Sequence, residues 1–176
     1  STLERLARSK LKTTAAKLTR SDLPALTRMP PQEQRFPKAD IFPRGLELLR
    51  GLGLQNLPGF YIEPSDDPKK NPLPLAVAPG GAADVRLSFR PVGGIRDQAA
   101  LMLELGRALA LKHCTGTIEH CRLGNPLLAE TTGYTLASIV DEPAWLTEVG
   151  VPNADLSEVR FNTKAYQLFR ARRAAG

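Results

Sequence analysis

Between Asp84 and Lys112 the hydrophobic period of the chain changes once, and that change constrains the fold more than any other feature. Val85, Leu87 and Phe89 alternate with Arg86, Ser88 and Arg90 over the run Asp84–Val92, the period-two pattern of a strand with one wet face. Gly93-Gly94 ends the run. From Asp97 to Lys112 the apolar residues Ala99, Leu101, Met102, Leu105, Ala108, Leu109 and Leu111 recur at helical spacing, with Asp97 placed as the N-cap. A second helix is expected from Asn125-Pro126, a cap followed by proline at the first helical position, to about Val140.

The remaining segments are mostly helical. Leu3, Ala7, Leu11, Ala15 and Leu18 predict one amphipathic helix to about Arg20, and Ser21-Asp22 caps a short helix through Leu26. Met29–Pro37 reads as a linker or wrapped loop. Asp40–Arg50 reads as a helix stopped by Gly51 and Gly53. Leu57–Glu63 and Leu73–Ala78 are short strand candidates around a turn-rich loop, Pro64–Pro72. Asp141-Glu142-Pro143 interrupts the helical pattern before Ala144-Trp145-Leu146, and Val159–Arg173 closes the chain as another helix. The expected fold is α+β, mainly α, with a small edge sheet. A single domain over 1–176 is expected: a helical lead-in (1–58), small strands (59–92), a helix pair (95–146) and a C-terminal helix (159–173).

Charge is segregated along this pattern. Of the net +6, residues 1–20 carry +5 and residues 160–176 another +5, so the body between them is −4. Such a chain is not a uniformly basic nucleic-acid-binding domain, although Lys10, Lys12, Lys17, Arg20, Arg170, Arg172 and Arg173 could reach phosphates as basic arms. Membrane spanning is not expected, because no uncharged apolar run approaches the roughly 18 residues required. The longest candidate, Ala99–Leu111, is broken by Glu104 and Arg107. Two cysteines, Cys114 and Cys121, do not make a disulfide scaffold, and a cytoplasmic location follows. A start without Met and a basic helical end point to a piece of something longer.

Chemistry-bearing residues cluster on the two central helices. Leu103-Glu104-Leu105-Gly106-Arg107 taken alone is a piece of amphipathic helix, but it follows a strand and a glycine pair, and Glu130 lies on the next helix. Zinc peptidases need two His one turn apart, a Glu beside them as general base, and a third ligand from another helix. The unit Asp84-Val-Arg-Leu-Ser-Phe-Arg-Pro-Val-Gly-Gly-Ile-Arg-Asp-Gln-Ala-Ala-Leu-Met-Leu-Glu-Leu-Gly-Arg-Ala-Leu, with Gly124-Asn-Pro-Leu-Leu-Ala-Glu-Thr-Thr-Gly-Tyr and Asp141-Glu-Pro-Ala-Trp-Leu after it, resembles the thimet oligopeptidase-like zinc metallopeptidases, a gluzincin family. The resemblance runs from about Leu23 to Arg173 and implies a zincin-like fold, of which this chain would be the central part of a catalytic domain.

In that family the helix carries His-Glu-x-Gly-His-Ala-Leu. The resemblance puts the two His positions on Leu103 and Arg107, the base on Glu104, and the glutamate ligand on Glu130. Leucine has no lone pair for a metal, and a guanidinium is a donor only. A lone glutamate does not hold zinc, and without zinc Glu104 has no bound water to deprotonate. The resemblance with these departures therefore implies a catalytically inactive, pseudo-peptidase domain with a degenerate HExxH motif. It would have no zinc, a structural or partner-binding role, and a protein, a peptide or the rest of a longer chain as its partner.

Across the former metal site Arg107 either pairs with Glu130 in the place of zinc, as a cation between two carboxylates, or points to solvent. The same resemblance implies that Asp84–Pro91 borders the cleft, where Arg86, Ser88 and Arg90 would form a peptide-binding edge; a solvated edge strand protected by its own charges is the other reading. His113-Cys114 and His120-Cys121 are either a relocated metal site or a connecting loop. Two other functions stay open: a nucleic-acid or acidic-partner adaptor using the basic ends, with nucleic acid not the expected partner, and a residual zinc peptidase.

Overall fold

The computed structural model describes residues 2–26, 33–54, 58–114 and 126–174. The fold is α+β and mainly helical, with one small three-stranded sheet. The chain groups into two compact units, residues 36–140 and residues 1–35 with 141–176.

The unit of residues 36–140 is built around helix α4 (Ile95–Lys112). Before it come α3 (Lys38–Gly51) and strands β1 (Phe60–Pro64), β2 (Leu75–Val77) and β3 (Val85–Phe89); after it comes α5 (Pro126–Ser138). The strands lie in the order β1-β3-β2, with β1 parallel and β2 antiparallel to β3. The alternation at 85–89 has its expected consequence: Val85, Leu87 and Phe89 are fully buried, while Arg86 points out. Val85, Ala78 and Ala108 form a core cluster closed by Phe60, Ala76 and Leu111, so the inner face of the sheet lies on α4.

Helix α4 is covered on nearly every side. Leu101, Met102, Leu103, Glu104, Leu105, Gly106, Ala108 and Leu109 are all buried. Such burial requires close neighbours, and glycines provide them. A Cβ on Gly45 of α3 would touch Leu101 Cδ2 at 3.0 Å, and one on Gly106 would lie 2.5 Å from Thr132 O and 2.6 Å from Gly133 Cα of α5. The backbones of α4 and α5 therefore meet at Gly106 and Gly133, with no room for a side chain at either position.

The start of α4 departs from expectation. The helix begins at Ile95, two residues before Asp97, and Gly94 occupies the cap position. Gly93 (φ 107°) and Gly94 (φ 94°) both take backbone conformations that only glycine adopts without strain. Asp97 then sits in the first turn and reaches back, its Oδ2 accepting from the N–H groups of Val92 (2.7 Å) and Gly93 (2.9 Å). Burial raises the Asp97 carboxyl above its ordinary value, against these two hydrogen bonds.

The other unit comprises α1 (Thr2–Leu11), α2 (Leu23–Leu26), α6 (Pro143–Glu148) and α7 (Leu156–Ala174). The predicted helix to Arg20 stops at Leu11: Lys12 has φ 52°, and Ala15–Lys17 is a separate 3-10 turn. Glu4 fastens this reversal, its Oε2 accepting from Ala15 N–H at 3.0 Å, which keeps the carboxyl below its ordinary value. Glu158 of α7 takes Lys10 at 2.9 Å and Arg5 at 4.0 Å. Asp141, Asn162 and Thr163 are buried in this unit beside the apolar Leu6, Ala7, Leu146, Val151 and Val159.

Candidate functional site

The helix crossing at Gly106 and Gly133 decides what the residues around it can do. Leu103 and Arg107 lie one turn apart on α4 and both border Gly133: a Cβ there would stand 3.5 Å from Leu103 Cγ and 3.3 Å from Arg107 Cγ. Glu130 lies one turn before Gly133 on α5. Positions 103, 107 and 130 therefore converge on one point of the crossing. Glu104 turns the other way, toward the sheet, and accepts a hydrogen bond from the N–H of Ala76 in β2 (Oε2, 3.2 Å).

Arg107 bridges the two carboxylates. One terminal guanidinium nitrogen donates to Glu104 Oε1 and the other to Glu130 Oε1. The side chains differ in exposure: 8% for Glu104, 27% for Arg107 and 44% for Glu130. The network thus runs from a dry end at β2 to a wet end at α5. Each carboxylate has a cation beside it, which removes the repulsion that two facing carboxylates would otherwise suffer. Arg107 Nε is buried and has no hydrogen-bond partner among the described residues.

A zinc ion does not fit these residues. Tetrahedral zinc needs lone pairs from three protein atoms, and here position 103 offers a methyl-ended chain and position 107 a donor-only cation standing between the two carboxylates. Among the described residues, no group of three or more His, Cys, Asp or Glu stands together as a metal cluster. His113 and half-buried Cys114 end α4, whereas His120 and Cys121 lie outside the described residues.

The peptide-binding edge expected at Arg86, Ser88 and Arg90 is not there. β3 is the central strand, flanked on both sides, so its backbone groups are already engaged. Strict alternation reveals a strand with one wet face but carries no information about its neighbours in the sheet. Arg86 forks onto Asp84 (2.9 and 3.0 Å), which lowers the Asp84 carboxyl and raises the Arg86 guanidinium. Ser88 is half-buried opposite Leu75 and Glu63, and Arg90 Nε donates to Lys70 O at 2.7 Å.

Two participants have little or no signature in the sequence. Ala76 carries no chemical signal in its side chain; the prolines at 74 and 79, which are tolerated at sheet edges, are the only mark of its position. Gly133 inside a helix is the better clue, since a mid-helix glycine commonly marks close packing. Of the basic ends, Lys12 and Lys17 are exposed, whereas Lys10 is engaged by Glu158 and by Leu26 O (3.1 Å). The side chains of Arg20, Arg170, Arg172 and Arg173 lie outside those described. No described helix is long and apolar enough to cross a membrane. No family model, no curated protein and no solved structure matches the chain.

Proposed function

We propose that residues 36–140 form a degenerate metallopeptidase-like unit, similar to the thimet oligopeptidase-like zinc peptidases, with a structural or partner-binding role in place of catalysis. The observation that carries this reading is the Arg107 guanidinium between Glu104 and Glu130. A cation of fixed charge stands where the resemblance puts a metal, held by the two carboxylates that the resemblance assigns as base and ligand. Convergence of positions 103, 107 and 130 on Gly133 supports it further, because three ligand positions must converge for a zinc site to have existed. The partner-binding side of the role is supported by the outer sheet face, where Tyr61, Leu75 and Val77 are exposed.

Restoring the ligand types tests the reading. The double substitution Leu103→His/Arg107→His should bind zinc stoichiometrically after dialysis, with Glu130 as third ligand, while the unsubstituted chain does not. Stoichiometric, chelator-sensitive zinc in the unsubstituted chain would overturn the pseudo-peptidase reading, as would a double variant with no gain in zinc binding.

A further inference from the structure

The outer edge of β2 has the composition of a strand that recruits others. The run Leu73-Pro74-Leu75-Ala76-Val77-Ala78-Pro79 holds no charged residue, and Leu75 and Val77 are 57% and 42% exposed. Edges of this kind template pairing with further chains unless something blocks them, and charged side chains on the strand are the usual means. None is present here. In the antiparallel ladder Leu75 faces Ser88 and Val77 faces Arg86, and the N–H groups of alternate residues turn away from β3. Ala76 is such a residue, because its N–H goes to Glu104. Pro74 precedes it by two and has no N–H to offer.

We propose that Glu104 caps this sheet, its carboxylate holding β2 closed against strand addition by a second copy of the chain. A second copy is the natural competitor. Antiparallel pairing of β2 with its own equivalent about Ala76 is two-fold symmetric and self-complementary, and it sets Leu75 opposite Val77 of the second copy and Val77 opposite its Leu75. Arg107 occupies Oε1 of Glu104 and so leaves Oε2 for Ala76, while Glu130 holds Arg107 from the far side. The contacts form one line from the sheet edge through α4 to α5. The ladder register and one hydrogen bond are its basis, whether or not the chain descends from a zinc enzyme.

Glu104→Met, close in length but without an acceptor, tests it against Glu104→Gln/Arg107→Met, which keeps an amide oxygen. In Glu104→Met the Ala76 amide should exchange about tenfold faster or more, and sedimentation should show a concentration-dependent dimer. Adding Ala76→Pro, which removes the outward N–H, should return the chain to the monomer. Glu104→Gln/Arg107→Met, in which the one amide oxygen no longer has Arg107 to serve and is left for Ala76, should keep the protection and the oligomeric state of the unsubstituted chain. The unsubstituted chain alone gives a reading if Glu104→Met fails to fold: Ala76 must be protected despite lying on a sheet edge. An unprotected Ala76 amide there, or a folded Glu104→Met chain that stays monomeric, would overturn the proposal.

Discussion

Replacing Arg107 by Met is the most informative single perturbation of the crossing, since it removes the charge and keeps most of the aliphatic length. Glu104 and Glu130 are then left without the cation that stands between them. The two ion pairs that this breaks are not equal. Glu104 is 8% exposed and Arg107 27%, so their pair lies largely out of water; Glu130 is 44% exposed. Breaking a fully buried pair from one side costs about 3–5 kcal/mol, because the remaining charge stays buried without compensation. Partial exposure of Arg107 brings the pair with Glu104 down to about 2–3 kcal/mol, and the pair with Glu130 is worth about 0.5–1 kcal/mol, as at a protein surface.

Arg107→Met should therefore destabilise the 36–140 unit by about 3 kcal/mol, and Glu130→Gln by no more than about 1 kcal/mol. Arg107→Met/Glu104→Gln should recover a coupling of about 2 kcal/mol relative to the sum of the singles. Salt supplies a second criterion: about 0.5 M NaCl should erase the Glu130 contribution and leave most of the Glu104 one. Urea unfolding is best followed by far-UV circular dichroism with amide exchange in α4, because Trp145, the only tryptophan, sits in the other unit and its fluorescence would report there. An Arg107→Met chain within about 0.5 kcal/mol of the parent at both salt concentrations, or strict additivity of the double variant, would refute the reasoning.

Three further outcomes follow from other substitutions. Asp141 is 3% exposed, and burial pushes its carboxyl up to about 6, against the pull of Lys164, the Thr163 hydroxyl and Arg160. Because the folded value lies above the unfolded one, protonation of Asp141 stabilises the fold fully below about pH 4, and this is lost as pH rises through about 6. Asp141→Asn should remove that dependence and raise stability at about pH 8 by up to roughly 3 kcal/mol, read as the difference between the two urea midpoints across pH; equal midpoints at about pH 8 would contradict it. Gly106→Ala should cost about 3 kcal/mol or prevent folding, since its Cβ would lie 2.5 Å from a backbone oxygen. Gly51→Ala, at the end of α3 with nothing within 4 Å, should be neutral or slightly stabilising by thermal melting.

The mainly helical α+β class is legible in the sequence because strong periodicity needs no knowledge of neighbours. What lies beyond it depends on neighbours. The apolar spacing from Leu3 to Leu18 continues through a chain reversal, since Ala15 and Leu18 fit a helix as well as the turn they actually form; the left-handed backbone at Lys12 leaves no trace in residue type. Asp97 is recognisable as a residue that satisfies backbone N–H groups, but a capping carboxylate can act from the cap or reach back from the first turn, and two glycines ahead of it make the second possible. The place of β3 in the sheet has no local signal, since strand order is settled by which segments return to it. Arg86 on it and Arg90 just after it suggest an open edge and instead bind Asp84 and a loop carbonyl.

Glu104 shows most clearly where local reading ends. On a helix viewed alone, Glu104 and Arg107 lie three apart and make an ordinary solvent-facing pair, worth a few tenths of a kcal/mol. Here α4 has little solvent face at that level: β2 lies over Glu104, and α5 approaches until Gly106 and Gly133 touch. The same two residues become a mostly dry ion pair, which holds only because each carboxylate oxygen of Glu104 has a donor. Arg107 can reach Glu130 as well because the two glycines bring the helices close enough for one guanidinium to span both. Restoring histidine at 107 alone would withdraw that cation and supply only one of the missing metal ligands, leaving a buried carboxylate with the Ala76 N–H as its remaining donor. Leu103 and Arg107 must therefore change together, and the single Arg107→His chain should be less stable than either the parent or the zinc-loaded double variant.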